Sequence, residues 1–221
     1  MSRRVLFLHG MWLPSECYTD KLAVGLLETM KRRGYDCDFV NSPRKCPDTP
    51  PELLTTMFPD LDSFPEWVNA ESREDGTKLY HGLEDSLAFL QRYLKEHPRY
   101  DVIAGHSNGA LMTSILALRM ESDPDFLPKD KHCRAIVLFN APASYDTEDT
   151  LKSIVVEHGP IQMPSIHVWG GPTDLTWQGE QMMRRVHHPK GIVVQHEAGH
   201  WFPSDTKYYD EILNALDKAL A

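Results

Sequence analysis

Asp101-Val102-Ile103-Ala104-Gly105-His106-Ser107-Asn108-Gly109-Ala110-Leu111-Met112 is the stretch that decides how this chain folds. Asp101–Ala104 reads as a short apolar strand and Ala110–Met120 as a strongly apolar helix. Between them Gly105 to Gly109 spells G-x-S-x-G, in the strand–turn–helix setting where that pattern has a mechanical meaning. The serine must occupy a strained turn, and side chains at the flanking positions would collide with the strand or the helix. Ser107 then lies at a helix N-terminus, whose dipole favours developing negative charge.

The same alternation of short apolar runs and longer helical segments spreads outward from this turn. Val5–Leu8 reads as the first strand, and 16–33 as a helix with Leu22, Leu26, Leu27 and Met30 on one period and Gly34 just past its end. Tyr35–Val40 is the second strand. Helix-like Tyr80–His97 leads to the third, Asp101–Ala104, and Cys133–Phe139 is the fourth. A weak helix is expected at 146–158, the fifth strand at Ser165–Trp169, a helix at Trp177–Val186, the sixth strand at Gly191–Gln195 and a last helix at Asp205–Leu220. Parallel strands need such crossovers, so a mostly parallel six-stranded sheet flanked by helices is predicted. Residues 41–78 break the rhythm with six of the chain's 16 prolines. Proline interrupts both ladders and helices. The segment is expected to be an irregular insertion in one domain spanning 1–221, with Met57, Phe58, Phe64 and Trp67 available to cover a cleft.

Composition narrows the function classes. The chain has 221 residues, 23 Lys and Arg against 32 Asp and Glu, and a net charge of −9, so a phosphate backbone is not an expected partner. No apolar run approaches the ~20 residues of a membrane helix, and Val5–Leu8 is too short for a signal peptide's apolar core. Cys17, Cys37, Cys46 and Cys133 form no C-x-x-C pair and read as free thiols in a reducing cytoplasm. Oligomeric state is not legible.

A serine hydroxyl is a weak nucleophile and needs a base oriented by a third group. In this architecture the chain order is Ser, then acid, then His. Asp174 follows the fifth strand after Gly170-Gly171-Pro172, and His200 closes the sixth strand segment just before the last helix. Asp146 and Asp149 are rival acids; His167, His187, His188 and His196 are rival bases that sit inside strands or at a helix end. Leu8-His9-Gly10-Met11 ends the first strand, so the backbone N–H groups of Met11 and Asn108 are the expected oxyanion donors. Trp12, Trp177, Trp201 and Phe202 adjoin these elements and are candidates to line an apolar acyl pocket. His196 and His200 share a metal-ligand spacing but cross a glycine outside any helix, and no nucleotide-binding glycine pattern occurs. Neither a metal nor a cofactor is expected.

With Leu8-His9-Gly10, the Gly105–Gly109 turn, Asp174 and His200 assembled, the chain resembles the FSH-type serine hydrolases over nearly its full length. Val40–Pro43, Glu66-Trp67, Tyr80–Leu87 and Pro98–Ile103 add to the likeness. His106 and Asn108 stand where that family commonly has Phe and Gln. The resemblance implies an α/β-hydrolase fold without the first two strands of larger members, a Ser107–Asp174–His200 triad, no cofactor, and action on acyl esters. The expected reaction is hydrolysis of a small acyl ester through an acyl-Ser107 intermediate. A thioesterase with the same triad is the enzymatic alternative, and a ligand receptor or pseudoenzyme on the same fold is the non-enzymatic one.

Overall fold

The computed structural model describes residues 2–72, 78–142 and 159–221. In chain order the strands are β1 (Arg3–Leu8), β2 (Tyr35–Val40), β3 (Asn69–Ser72), β4 (Lys78–His81), β5 (Val102–His106), β6 (Ala135–Phe139), β7 (Ser165–Trp169) and β8 (Ile192–Gln195). Six of them form one sheet in the order β2-β1-β5-β6-β7-β8, and every neighbouring pair is parallel. β5 and β6 are buried along their whole length, as parallel strands covered on both faces must be.

Alternate residues of each strand feed two separate cores. Leu6, Leu8, Ile103, Ile136 and Leu138 point to one face, and Val5, Phe7, Val102, Ala104, Val137 and Phe139 to the other. The helices are α1 (Ser15–Cys17), α2 (Val24–Arg32), α3 (Glu52–Met57), α4 (Leu83–Glu96), α5 (Asn108–Ser122), α6 (Trp177–Val186) and α7 (Thr206–Ala219). α4, α5 and α6 cover the first face through Leu90, Leu116 and Met183; α2 and α7 cover the second through Leu26 and Leu213. The strand order reverses direction between β1 and β5. Their carboxyl ends, with Leu8 opposite Gly105, therefore open a crevice where an open α/β sheet offers a site.

Three expectations change. The helix foreseen at 16–33 is broken: Tyr18–Leu22 is a widened π turn, closed by the Ala23 N–H on the Tyr18 carbonyl at 3.0 Å, before α2 begins. The Pro-rich 41–78 segment holds α3 and the strand β3, which pairs with β4 as an antiparallel hairpin. Tyr80 consequently belongs to β4, and α4 starts at Leu83. The helix expected at 146–158, with Asp146 and Asp149, lies outside the described residues.

Candidate active site

The turn after β5 explains both of its glycines. A Cβ on Gly105 would lie 2.3 Å from the Gly109 carbonyl oxygen, and one on Gly109 would lie 2.3 Å from that of Leu8. Backbone cannot yield to such contacts, so both positions exclude any side chain. Ser107 between them has φ +52 and ψ −117, a conformation costing a non-glycine residue about 1–3 kcal/mol, stored here at the apex of the turn. That strain lifts Oγ out of the sheet at the start of α5.

His200 reaches it from the loop after β8. Nε2 is 2.9 Å from Ser107 Oγ, and Nδ1 is 2.8 Å from Asp174 Oδ1. Asp174 follows β7; its side chain is fully buried, whereas that of His200 is 20% exposed and open to the crevice. Burial alone would raise the Asp174 carboxyl. Hydrogen bonds from His200, from the Thr176 N–H at 2.8 Å and from Asn140 Nδ2 outweigh it and hold the group well below the usual carboxylate range. The Thr176 hydroxyl adds a further bond to Oδ1 at 2.9 Å.

Two of the supporting groups were not foreseen from the sequence. Asn140, at φ +50 just past β6, donates from one amide nitrogen to both Asp174 and the Gly199 carbonyl, joining the acid loop to the base loop. Its signal was a lone amide after the apolar run ending at Phe139, on the carboxyl edge of the sheet. Glu180, wholly buried on α6, packs against Asp174 and Asn140, and burial followed by the Asp174 charge pushes its carboxyl up to about 9.

The loop after β1 faces Ser107 from the opposite side. His9 is buried: Nδ1–H donates to the Gly10 carbonyl at 2.8 Å, and Nε2 accepts the Ser42 N–H at 2.9 Å. Burial lowers its pKa to about 4, so the ring is a neutral strut. Trp12 adopts φ +64, and its N–H bonds to the Pro65 carbonyl at 2.8 Å. Met11 and Asn108, the expected oxyanion donors, both line the cleft above Ser107, and Asn108 opens α5. The Asn108 side chain turns away to grip the Pro-rich segment, with Oδ1 accepting the Trp67 N–H at 2.8 Å and Nδ2 donating to the Val68 carbonyl at 2.8 Å.

The cleft has a volume of about 400 Å³ and an apolar lining that includes Trp12, Leu13, Leu53, Leu54 and Trp201. Two of the four aromatic candidates do not belong to it. Phe202 turns into the core against Phe7, Phe139 and His106. Trp177 packs edge-on against Trp169 at 5.5 Å, away from the cleft lining. From the Pro-rich segment it is α3 that borders the cleft, whereas Trp67 is fully buried, stacked on His9 with its indole N–H on the His9 carbonyl.

The rival histidines point elsewhere. His187 Nε2 meets Ser114 Oγ inside the core, His167 meets Ser165, and His196 Nδ1 accepts the Ala198 N–H. Among the described residues, no three or more His, Cys, Asp or Glu side chains are grouped to hold a metal ion. No helix there is long and apolar enough to cross a membrane.

A parallel sheet carrying a serine on a strand-to-helix turn at its switch point, with an acid and a histidine on the two loops beyond, defines an α/β-hydrolase. The carboxylesterase of Bacillus cereus shares this fold with a TM-score of 0.58 at 14% identity, over 99% of this chain and 89% of that one. The human esterase OVCA2 is 25% identical, covering 97% of this chain and 96% of its own length. The Caenorhabditis elegans esterase C25G4.2 is 23% identical, covering 98% and 94%. The chain belongs to the serine hydrolase (FSH1) family, whose sequence profile matches residues 1–212.

Proposed function

We propose that the chain hydrolyses carboxylic esters of small, uncharged acyl groups through a covalent acyl-Ser107 intermediate. One observation carries this reading: a single imidazole spans Ser107 Oγ at 2.9 Å and Asp174 Oδ1 at 2.8 Å. His200 Nε2 takes the hydroxyl proton as Oγ bonds to the acyl carbon. The tetrahedral oxyanion collects the N–H groups of Met11 and Asn108, each such donor typically contributing about 2.7–4 kcal/mol to the transition state. Collapse breaks the ester C–O bond, and His200 returns the proton to the departing alkoxide. Water then gives a proton to Nε2 and attacks the acyl-enzyme. The second collapse releases the acid and reprotonates Ser107. Asp174 stays ionised, accepts the Nδ1–H and stabilises the imidazolium that forms at each transfer. The free thiols suit a reducing compartment.

The cleft supports an uncharged acyl group. Among the described residues its lining contains no Asp, Glu, Lys or Arg, and its volume of about 400 Å³ falls within the ~300–1,000 Å³ of small-ligand pockets. The test is a panel of oxygen esters of graded acyl length, each paired with the thiol ester of the same acid. Turnover of oxygen esters, loss of at least 10³-fold in Ser107→Ala, and fluorophosphonate labelling that requires Ser107 are expected. Turnover of thiol esters alone would replace this reading by a thioesterase. Folded wild type that neither turns over nor labels would leave a binding protein.

A further inference from the structure

Beneath Ser107 runs a chain of hydrogen bonds that the proposed reaction does not use. The Gly10 N–H donates to the Tyr18 hydroxyl at 2.6 Å; that hydroxyl lies 3.0 Å from His106 Nδ1, and His106 Nε2 lies 3.1 Å from the His200 carbonyl oxygen. Tyr18 is wholly buried and His106 is 1% exposed. Chemistry fixes each proton. The Tyr18 oxygen already accepts from Gly10, so its own hydrogen goes to Nδ1. A carbonyl can only accept, so Nε2 carries the hydrogen. The ring is therefore neutral and in one tautomer; burial, then the neighbouring His200, press its pKa to about 3, in keeping with that state.

The two ends of this chain are the two loops that must be set against each other. Gly10 precedes Met11, and its carbonyl is held from the other side by His9. At the far end the contact is with the backbone of His200 itself. We propose that Tyr18 and His106 are positioning residues that lock the loop bearing the Met11 N–H to the backbone of His200, fixing oxyanion donor and base at one separation across Ser107. This rests on the ester-hydrolase reading above. The sequence bends locally to make it possible. The π turn at Tyr18–Leu22 costs regular helix geometry at the residue whose hydroxyl must reach under the loop. His106 is buried within the nucleophile turn itself, and its two ring nitrogens make the connection that an apolar side chain there could not. Its ring also packs at a tilt against Phe202, with centroids 5.0 Å apart.

The test combines kinetics on a nitrophenyl ester, affinity for phenylboronic acid and the ¹⁵N shifts of the His106 ring. Boronic acid forms a tetrahedral adduct on Ser107 and so reads the oxyanion geometry. Tyr18→Phe and His106→Phe should each lower kcat on the order of 10–100-fold, with KM changed less than about threefold and boronate affinity falling in step. Because both break one chain, the double variant should be no worse than the poorer single. His106→Gln, which keeps a donor and an acceptor, should recover most of the loss. In unaltered protein at neutral pH, the ¹⁵N shifts should show hydrogen on Nε2 and none on Nδ1. Folded single variants with wild-type kcat, losses that multiply in the double variant, a Gln variant as poor as Phe, or hydrogen on Nδ1 would each overturn the proposal. Should the variants not fold, the ring shifts of wild type still decide the wiring. Absence of Ser107 labelling in wild type would instead count against the hydrolase reading and leave the tautomer result standing.

Discussion

Asp174 is held by more groups than orientation of one imidazole requires, and Glu180 is the least expected of them. Its two carboxyl oxygens and Asn140 Oδ1 are buried without a well-formed hydrogen bond among the described residues, and they lie beside Asp174, whose charge adds to burial in raising the Glu180 carboxyl. A protonated Glu180 supplies the hydrogen that cluster lacks. The sign of the consequence follows from its ordinary value of 4.5 and its folded value of about 9. Between these the folded chain keeps a proton that the unfolded chain has released, so this residue's contribution to stability is complete below pH 4.5 and lost as pH rises towards 9. Glu180→Gln removes that loss. In urea unfolding, its stability relative to wild type should rise from pH 5 to pH 8.5, and a difference that stays flat would mean Glu180 is ionised at neutrality. Ser107, Asp174 and His200 were legible in the sequence because strand ends and chain order nominate them. Glu180, Asn140 and Tyr18 were not, since each owes its part to a contact made only after strands distant in sequence are paired.

At the level of elements, the cleft is shaped by the segment the sequence describes worst. Six prolines forbid long regular structure between 41 and 78, which is legible. That α3 forms within it and that Trp67 is an internal anchor are not, because a Trp in a polar, proline-rich stretch carries no periodicity to say which way it faces. The segment is fixed from below by Asn108 on the Trp67 and Val68 N–H groups, and from the side by Trp12 on Pro65. α3 can therefore present Leu54 inward and Leu53, 57% exposed, at the cleft mouth. An exposed leucine contributes little to folding, so its substitution reads substrate contact. Each methylene withdrawn from water is worth ~0.8 kcal/mol, about fourfold in rate. Leu53→Ala should lower kcat/KM by about 3–10-fold for esters with acyl chains long enough to reach the mouth, and by less for acetyl esters. Equal losses across acyl lengths would place the acyl chain elsewhere.

On the scale of the whole molecule, the sheet order sets the first strand inside the sheet, between β2 and β5, and packs the last helix against β7, β8 and α2. The parallel sheet was legible because strands and helices alternate along the chain, whereas the β3–β4 hairpin, in polar sequence, was not. Asp217 on α7 ties the two ends of that topology together. It accepts from Arg3 of β1, from Arg33 just past α2 and, at 2.7 Å, from the Tyr35 hydroxyl of β2. Burial works against its ionisation, but the hydrogen bonds from Tyr35, Arg3 and Arg33 prevail and hold the carboxyl below its ordinary 3.8. A depressed folded value means that the stabilisation is complete above 3.8 and disappears as pH falls through the lower, folded value. Its side chain is 34% exposed and that of Arg3 37%, so solvent screens the cluster, and the contribution is roughly 1 kcal/mol. Asp217→Asn should therefore lower urea stability by about that amount at pH 7 in low salt. The deficit should shrink in 1 M salt, where the screening length falls to about 3 Å, and fade as pH falls below 3.8. A deficit independent of both salt and pH would show that Asp217 acts through packing, and that the chain ends are joined by apolar contact between α7 and α2 alone.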